Sequence, residues 1–157
     1  MARKFIILLN ECSLDDKLLL GGKGANLGEL MSAGFAVPPG FGLSSSCYDD
    51  FLSGNGIETD VLRQMIKATD FDDFEQVKTV TNRIKDSICS GNIPEDMAEE
   101  IRDAYLSQGD SPSVAVRSTS AVPDVGISSF PGQKDTFYHV QGIESVLNHI
   151  KLCWASF

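Results

Sequence analysis

The sequence predicts an α+β domain, and three observations predict it. Short apolar runs recur near both ends of the chain, amphipathic stripes at helical spacing fill the middle, and Gly, Pro and Asn breaks separate the two kinds of segment. The runs are Phe5 to Leu9, Phe41 to Leu43, Val114 to Val116 and Thr136 to Val140, the last alternating Phe137 and His139 against Tyr138 and Val140. With 157 residues, 42% hydrophobic and 22% charged, and no low-complexity run, the chain can build one core, so one domain is expected.

The elements follow in order. The start is charged but continues with only five apolar residues, Phe5 to Leu9, too few for a signal peptide or a membrane span, so it is a first strand. Next, Lys23 stands among Gly21, Gly22 and Gly24, and Leu27, Leu30, Met31 and Gly34 mark a helix starting near Gly24. Val37 to Gly40 breaks it, and Phe41 to Leu43 forms a strand. Ser44 to Ser46 caps a short helix carrying Tyr48, Phe51 and Leu52, and Asn55-Gly56 turns the chain. Val61, Leu62, Met65 and Ile66 mark another helix, and Phe74, Val77, Thr81, Ile84 and Ile88 a longer one ending at Ser90-Gly91. Pro94 suits the first turn of a helix with Met97, Ile101, Ala104 and Tyr105 inward. These stripes are core. From Ile143 the apolar residues Val146, Leu147, Ile150, Trp154 and Phe157 repeat to the last position with no stop signal, so the helix is expected to continue past it. Trp154 and Phe157 are then expected near solvent, where they would promote fraying or self-association.

The chemistry concentrates in two places. Arg117 leaves a short apolar strand carrying a planar, permanently charged fork suited to phosphate oxygens. The following loop holds Gly126 and Gly132, which permit sharp turns, and Ser118, Thr119, Ser120, Ser128, Ser129 and Thr136, which add neutral donors. Lys23 sits near a helix N-terminus, where exposed amides and the macrodipole already favour an anion. The same compositions also suit a hairpin loop whose hydroxyls bond local backbone, and a flexible glycine loop. No Walker motif is present, because Lys23 is followed by Gly24, and a dinucleotide fingerprint fails at Leu27.

Together the segments resemble a known family. Leu20-Gly-Gly-Lys-Gly-Ala-Asn-Leu-Gly-Glu-Leu30 with Ala36-Val-Pro-Pro-Gly-Phe-Gly-Leu43, then Ala115-Val-Arg-Ser118, then Ser129-Phe-Pro-Gly-Gln-Lys-Asp-Thr136 are similar to the N-terminal part of the nucleotide-binding domain of phosphoenolpyruvate synthase, pyruvate phosphate dikinase and the rifamycin phosphotransferases. The likeness runs over the whole chain, with Cys47 to Ser113 matching in helical pattern and length. The resemblance implies an ATP-grasp domain with a mostly antiparallel sheet and several packed helices. Residues 1–157 would be its N-terminal part, truncated at the C-terminus, with the second half and a phosphohistidine domain absent. It further implies ATP as ligand: Lys23 contacts the phosphates, Arg117 reaches the terminal phosphates as the catalytic residue, and Gly132, Gln133 and Thr136 belong to the loop closing over them. Magnesium ligands and the adenine pocket are implied in the absent half, so the chain alone is expected to be inactive.

In the parent, ATP would phosphorylate a histidine on a swivelling domain and the phosphoryl group would pass to pyruvate, or to a rifamycin. A non-catalytic module with a vestigial phosphate site is the alternative from another class. One departure stands out: where the family commonly has Ala-Glu-Asp, this chain has Val122-Pro123-Asp124, removing a carboxylate and a backbone donor.

Composition narrows the setting. A net charge of −9 argues against nucleic-acid and anionic-membrane partners, and makes Lys23, Arg117 and Lys134 conspicuous, although Lys134 suits a solvated loop equally. Cys12, Cys47, Cys89 and Cys153 form no Cys-x-x-Cys pair, so reduced structural thiols and a cytoplasmic location are expected. Asp70 to Asp73 and Glu95 to Glu100 suit caps and solvated faces, and neither Asp72/Asp73 nor Glu99/Glu100 has a third ligand near it in sequence. No metal site is assigned. His139 and His149 lack a catalytic neighbour.

Overall fold

The computed structural model describes residues 5–119 and 135–156. Among them, six α-helices and two two-stranded antiparallel sheets make the mixed α+β arrangement expected of the N-terminal part of an ATP-grasp domain. The first sheet pairs β1 (Ile6–Leu8) with β2 (Phe41–Leu43), Ile6 opposite Leu43 and Leu8 opposite Phe41.

Between these strands runs α1 (Lys17–Ser32), which starts earlier than its apolar spacing suggests. The reason is local: Asp16 Oδ2 accepts from the Ser13 amide at 2.9 Å and Ser13 Oγ from the Asp15 amide at 3.3 Å, capping the turn that leads into the helix. Gly21, with φ 70° and ψ 173°, breaks α1 so that a second helical segment follows it. Only glycine enters that conformation at little cost. The expected stripe holds only in part: Leu27 and Met31 are partly buried against Leu9, Cys12 and Leu20. Leu30 is 42% exposed, while Leu20, Ala25 and Gly28 are buried, because the helix presses its backbone against Cys12. A Cβ on Gly28 would stand 2.5 Å from both the Cβ and the carbonyl oxygen of Cys12. Gly28→Ala is therefore expected to destabilise the fold by about 2 kcal/mol, overpacking outweighing the better helix propensity of alanine. Urea unfolding measures it, and an unchanged or raised midpoint would show that this helix does not sit against Cys12.

The main core joins α2 (Ser45–Gly54), α4 (Phe74–Ser90), α5 (Glu95–Leu106) and α6 (Ile143–Ala155). Met97, Ile101, Ala104 and Tyr105 face inward as their spacing predicts. Phe51 is fully buried and its ring lies 4.8 Å from that of Trp154, which also approaches Tyr48 at 5.7 Å. This corrects the expectation that Trp154 stands near solvent: it is buried, while Phe157 lies outside the described residues. A second correction concerns α4, where Phe74 opens the apolar stripe yet is 74% exposed. It is the first helical residue after the Asp73 cap, at the end of α4 remote from buried Ile88. The short helix α3 (Thr59–Lys67) packs on α4. Among the described residues no helix is long and apolar enough to cross a membrane.

The second sheet carries the arginine. β3 (Val114–Arg117) pairs with β4 (Thr136–Val140), with Val114 opposite Val140, Val116 opposite Phe137 and Arg117 opposite Thr136. That register leaves one extra residue on β4, and His139 takes it up as a bulge with φ 57°. Tyr105 anchors the ribbon to the core: its hydroxyl donates to the Pro112 carbonyl at 2.7 Å and accepts from the Gly142 amide at 2.9 Å.

Candidate functional site

Two stretches far apart in sequence meet here. Lys23, just after the Gly21 break, extends its ammonium to the carbonyl oxygen of Ser118 at 2.8 Å, a contact across 95 positions. Ser118 directly follows Arg117. The lysine and arginine segments are thereby joined, and the register of β3 and β4 sets Thr136 beside Arg117 on the outer face of the ribbon. Arg117 is exposed, and among the described residues no carboxylate pairs with it.

Ser118 itself departs from its expected part as a neutral donor toward an anion. It is buried, its hydroxyl donates to the Asp135 carbonyl at 3.1 Å and its amide donates to the same oxygen at 3.3 Å. The hydroxyl is committed to backbone. Gly132 and Gln133, with Ser120, Pro123, Gly126, Ser128, Ser129 and Lys134, lie outside the described residues.

Sequence reasoning passed over Asp135 and Cys153. Burial pushes the Cys153 thiol up to about 11, with the Asp135 carboxylate adding to the rise and the Lys23 ammonium opposing it. The thiol is thus neutral at physiological pH and adds no charge beside the lysine. Nothing in the composition flags either residue, since their relation to Lys23 exists only once α6 packs behind the ribbon. The four cysteines are thiols outside any disulfide.

Asp73 and His149 have structural partners. Asp73 Oδ1 accepts from the amides of Glu75 and Gln76 at 3.0 and 3.1 Å and so caps α4. His149 Nδ1 lies 2.7 Å from the Ser145 carbonyl within its own helix, and the ring packs edge-on against Phe137. His139 is exposed on the bulge. Among the described residues no group of three His, Cys, Asp or Glu side chains is placed to hold a metal ion. Two surface concavities among the described residues, on α4 and between α3 and α4, share no residue with the junction of Lys23 and Ser118.

Such a junction can do one thing well. It holds the Lys23 ammonium one residue from the exposed Arg117, and after bonding Ser118 the ammonium keeps two N–H donors for an anion.

Comparison with known proteins identifies the family. Residues 17–157 match the family model described as pyruvate phosphate dikinase, AMP/ATP-binding domain. A probable phosphoenolpyruvate synthase of Methanothermobacter thermautotrophicus is 40% identical over 98% of this chain and 23% of its own length. The phosphoenolpyruvate synthase of Pyrococcus furiosus is 35% identical, covering 99% of this chain and 24% of its own. A rifampicin phosphotransferase of Bacillus cereus is 36% identical, covering 97% and 18% respectively. The chain thus spans a quarter or less of each of these relatives.

Proposed function

This chain belongs to the family of the pyruvate phosphate dikinase AMP/ATP-binding domain, and from that premise we propose that it forms the phosphate-binding wall of the ATP site in a phosphoenolpyruvate synthase-like phosphotransferase. The observation that carries the proposal is the bond from Lys23 to the Ser118 carbonyl, which brings the lysine to the residue that follows Arg117 in an acidic chain. Bound ATP would set its phosphates against Lys23 and Arg117, with Gly132, Gln133 and Thr136 closing over them. Because phosphoryl transfer depends on positioning and charge stabilisation, these residues contribute by neutralising the phosphates and aligning the terminal one. On the same proposal the magnesium ligands lie in the second half of the nucleotide-binding domain; among the described residues no three-residue cluster is placed to hold that ion, and no step here runs through it. On this proposal the second half of the nucleotide-binding domain and the phosphohistidine domain lie elsewhere in the enzyme, and pyruvate receives the phosphoryl group. The unbridged thiols suit a cytoplasmic setting.

A second acceptor has specific support. The rifampicin phosphotransferase is as similar over nearly the whole chain as the phosphoenolpyruvate synthase of Pyrococcus furiosus, so the ATP-binding step is common to both readings and only the acceptor differs. Offering pyruvate or rifampicin with ATP to an enzyme containing this chain separates them.

The ATP reading is tested on the chain itself. We expect weak binding of ATP or tripolyphosphate, in the high micromolar to millimolar range, about −4 to −5 kcal/mol. In an NMR titration the shifts should fall on Lys23, Arg117, Ser118 and Thr136. Shifts confined to residues remote from the lysine and arginine segments would defeat the proposal.

A further inference from the structure

The Lys23 ammonium is bonded to a backbone carbonyl, so its location depends on whatever fixes Ser118. Three bonds meet there: the Ser118 carbonyl accepts from Lys23 Nζ at 2.8 Å, while its amide and hydroxyl both donate to the Asp135 carbonyl, at 3.3 and 3.1 Å. The amide bond merely extends the antiparallel ladder one residue past Arg117 and lies beyond the usual amide distance range. The hydroxyl bond is an addition that a ladder does not require. It fills the second lone pair of the Asp135 oxygen and closes the hairpin immediately beside the cations. Ser118 is 3% exposed, so water does not replace that bond freely.

We propose that Ser118 is the positioning residue for Lys23, its hydroxyl bond to Asp135 fixing the carbonyl that holds the ammonium one residue from Arg117. A lysine has a long flexible stem, and ordering it on binding costs conformational entropy. Docked on an anchored carbonyl, Lys23 has given up that freedom before the anion arrives and still offers two donors. The inference rests on the reading of Lys23 and Arg117 as phosphate ligands.

The test is ATP titration of the 157-residue chain by NMR as wild type, Ser118→Ala, Lys23→Ala, Arg117→Ala and the Lys23→Ala/Ser118→Ala double variant, with thermal melts on each. Ser118→Ala should weaken ATP about fivefold, the scale of one neutral hydrogen bond. The same change in the Lys23→Ala background should have no effect, because its consequence travels through the lysine. An equal loss in both backgrounds, or none in either, would overturn the positioning role while leaving the site intact. If Ser118→Ala does not fold, Ser118→Thr and Ser118→Val, alike in shape and differing in the hydroxyl, take its place: threonine should bind more tightly than valine, and equal affinities would overturn the proposal. Wild-type affinity in Lys23→Ala and Arg117→Ala, or no shift at either segment with ATP at about 10 mM, would bring down the ATP site itself.

Discussion

Lys23→Ala and Arg117→Ala should each lower the ATP-dependent turnover of an enzyme containing this chain by two to three orders of magnitude, with little change in stability. Losing one preorganised charge at a phosphoryl-transfer site typically costs about 3 kcal/mol or more of transition-state stabilisation. Both side chains are exposed, and each leaves the core untouched. Lys23→Ala gives up one bond to the Ser118 carbonyl, a loss on the scale of about 1 kcal/mol, so a melt should move by only a few degrees. The two variants should also be less than additive, because the residues act on one anion from adjacent points. The measurement is kcat/KM for ATP with the melting midpoint on the same samples. Near-normal turnover in either folded variant would remove that residue from the site.

The other large effect is on folding. Phe51→Ala should cost about 4 kcal/mol, because it deletes a fully buried ring that lies 4.8 Å from the Trp154 ring and leaves a cavity where α2 meets α6. That is a large part of the stability of an ordinary domain. Chemical denaturation would report it as a lower midpoint with an unchanged slope. Gly91 also packs on the ring, a Cβ there standing 2.6 Å from Phe51 Cζ, so the chain around the ring is close and collapse into the cavity is limited. A cost below about 1 kcal/mol would show that the core is not organised around this ring. Since α6 also packs on β3 and β4, the same variant should weaken ATP binding indirectly.

The acidic composition was informative by making Lys23, Arg117 and Lys134 conspicuous. Among the described residues, periodicity and break residues located the six α-helices and four strands, though not the early start of α1 or the two short 3-10 turns before it, and periodicity picked out the inward face of α5 correctly, because that helix buries a full apolar stripe. It failed where packing is backbone-to-backbone. The buried face of α1 is made of Leu20, Ala25 and Gly28, and small residues carry almost no hydrophobic signal. It failed again at Trp154, since an apolar stripe shows that a face needs cover without showing whether cover is already supplied.

The sequence by itself determined the mixed architecture, the short strands, the family and the two segments proposed to bind phosphate. What only the tertiary structure decided is how they meet. The bond joining them spans 95 positions and ends on a peptide carbonyl, a group every residue possesses, so no choice of side chain at Ser118 announces it. Likewise the Ser118 hydroxyl had several partners open to it in sequence, and the β3–β4 register alone turned it onto the Asp135 carbonyl. Local patterns are written in residue types because neighbours along the chain are always near one another; a contact between distant backbones depends on the whole packing that brings them together.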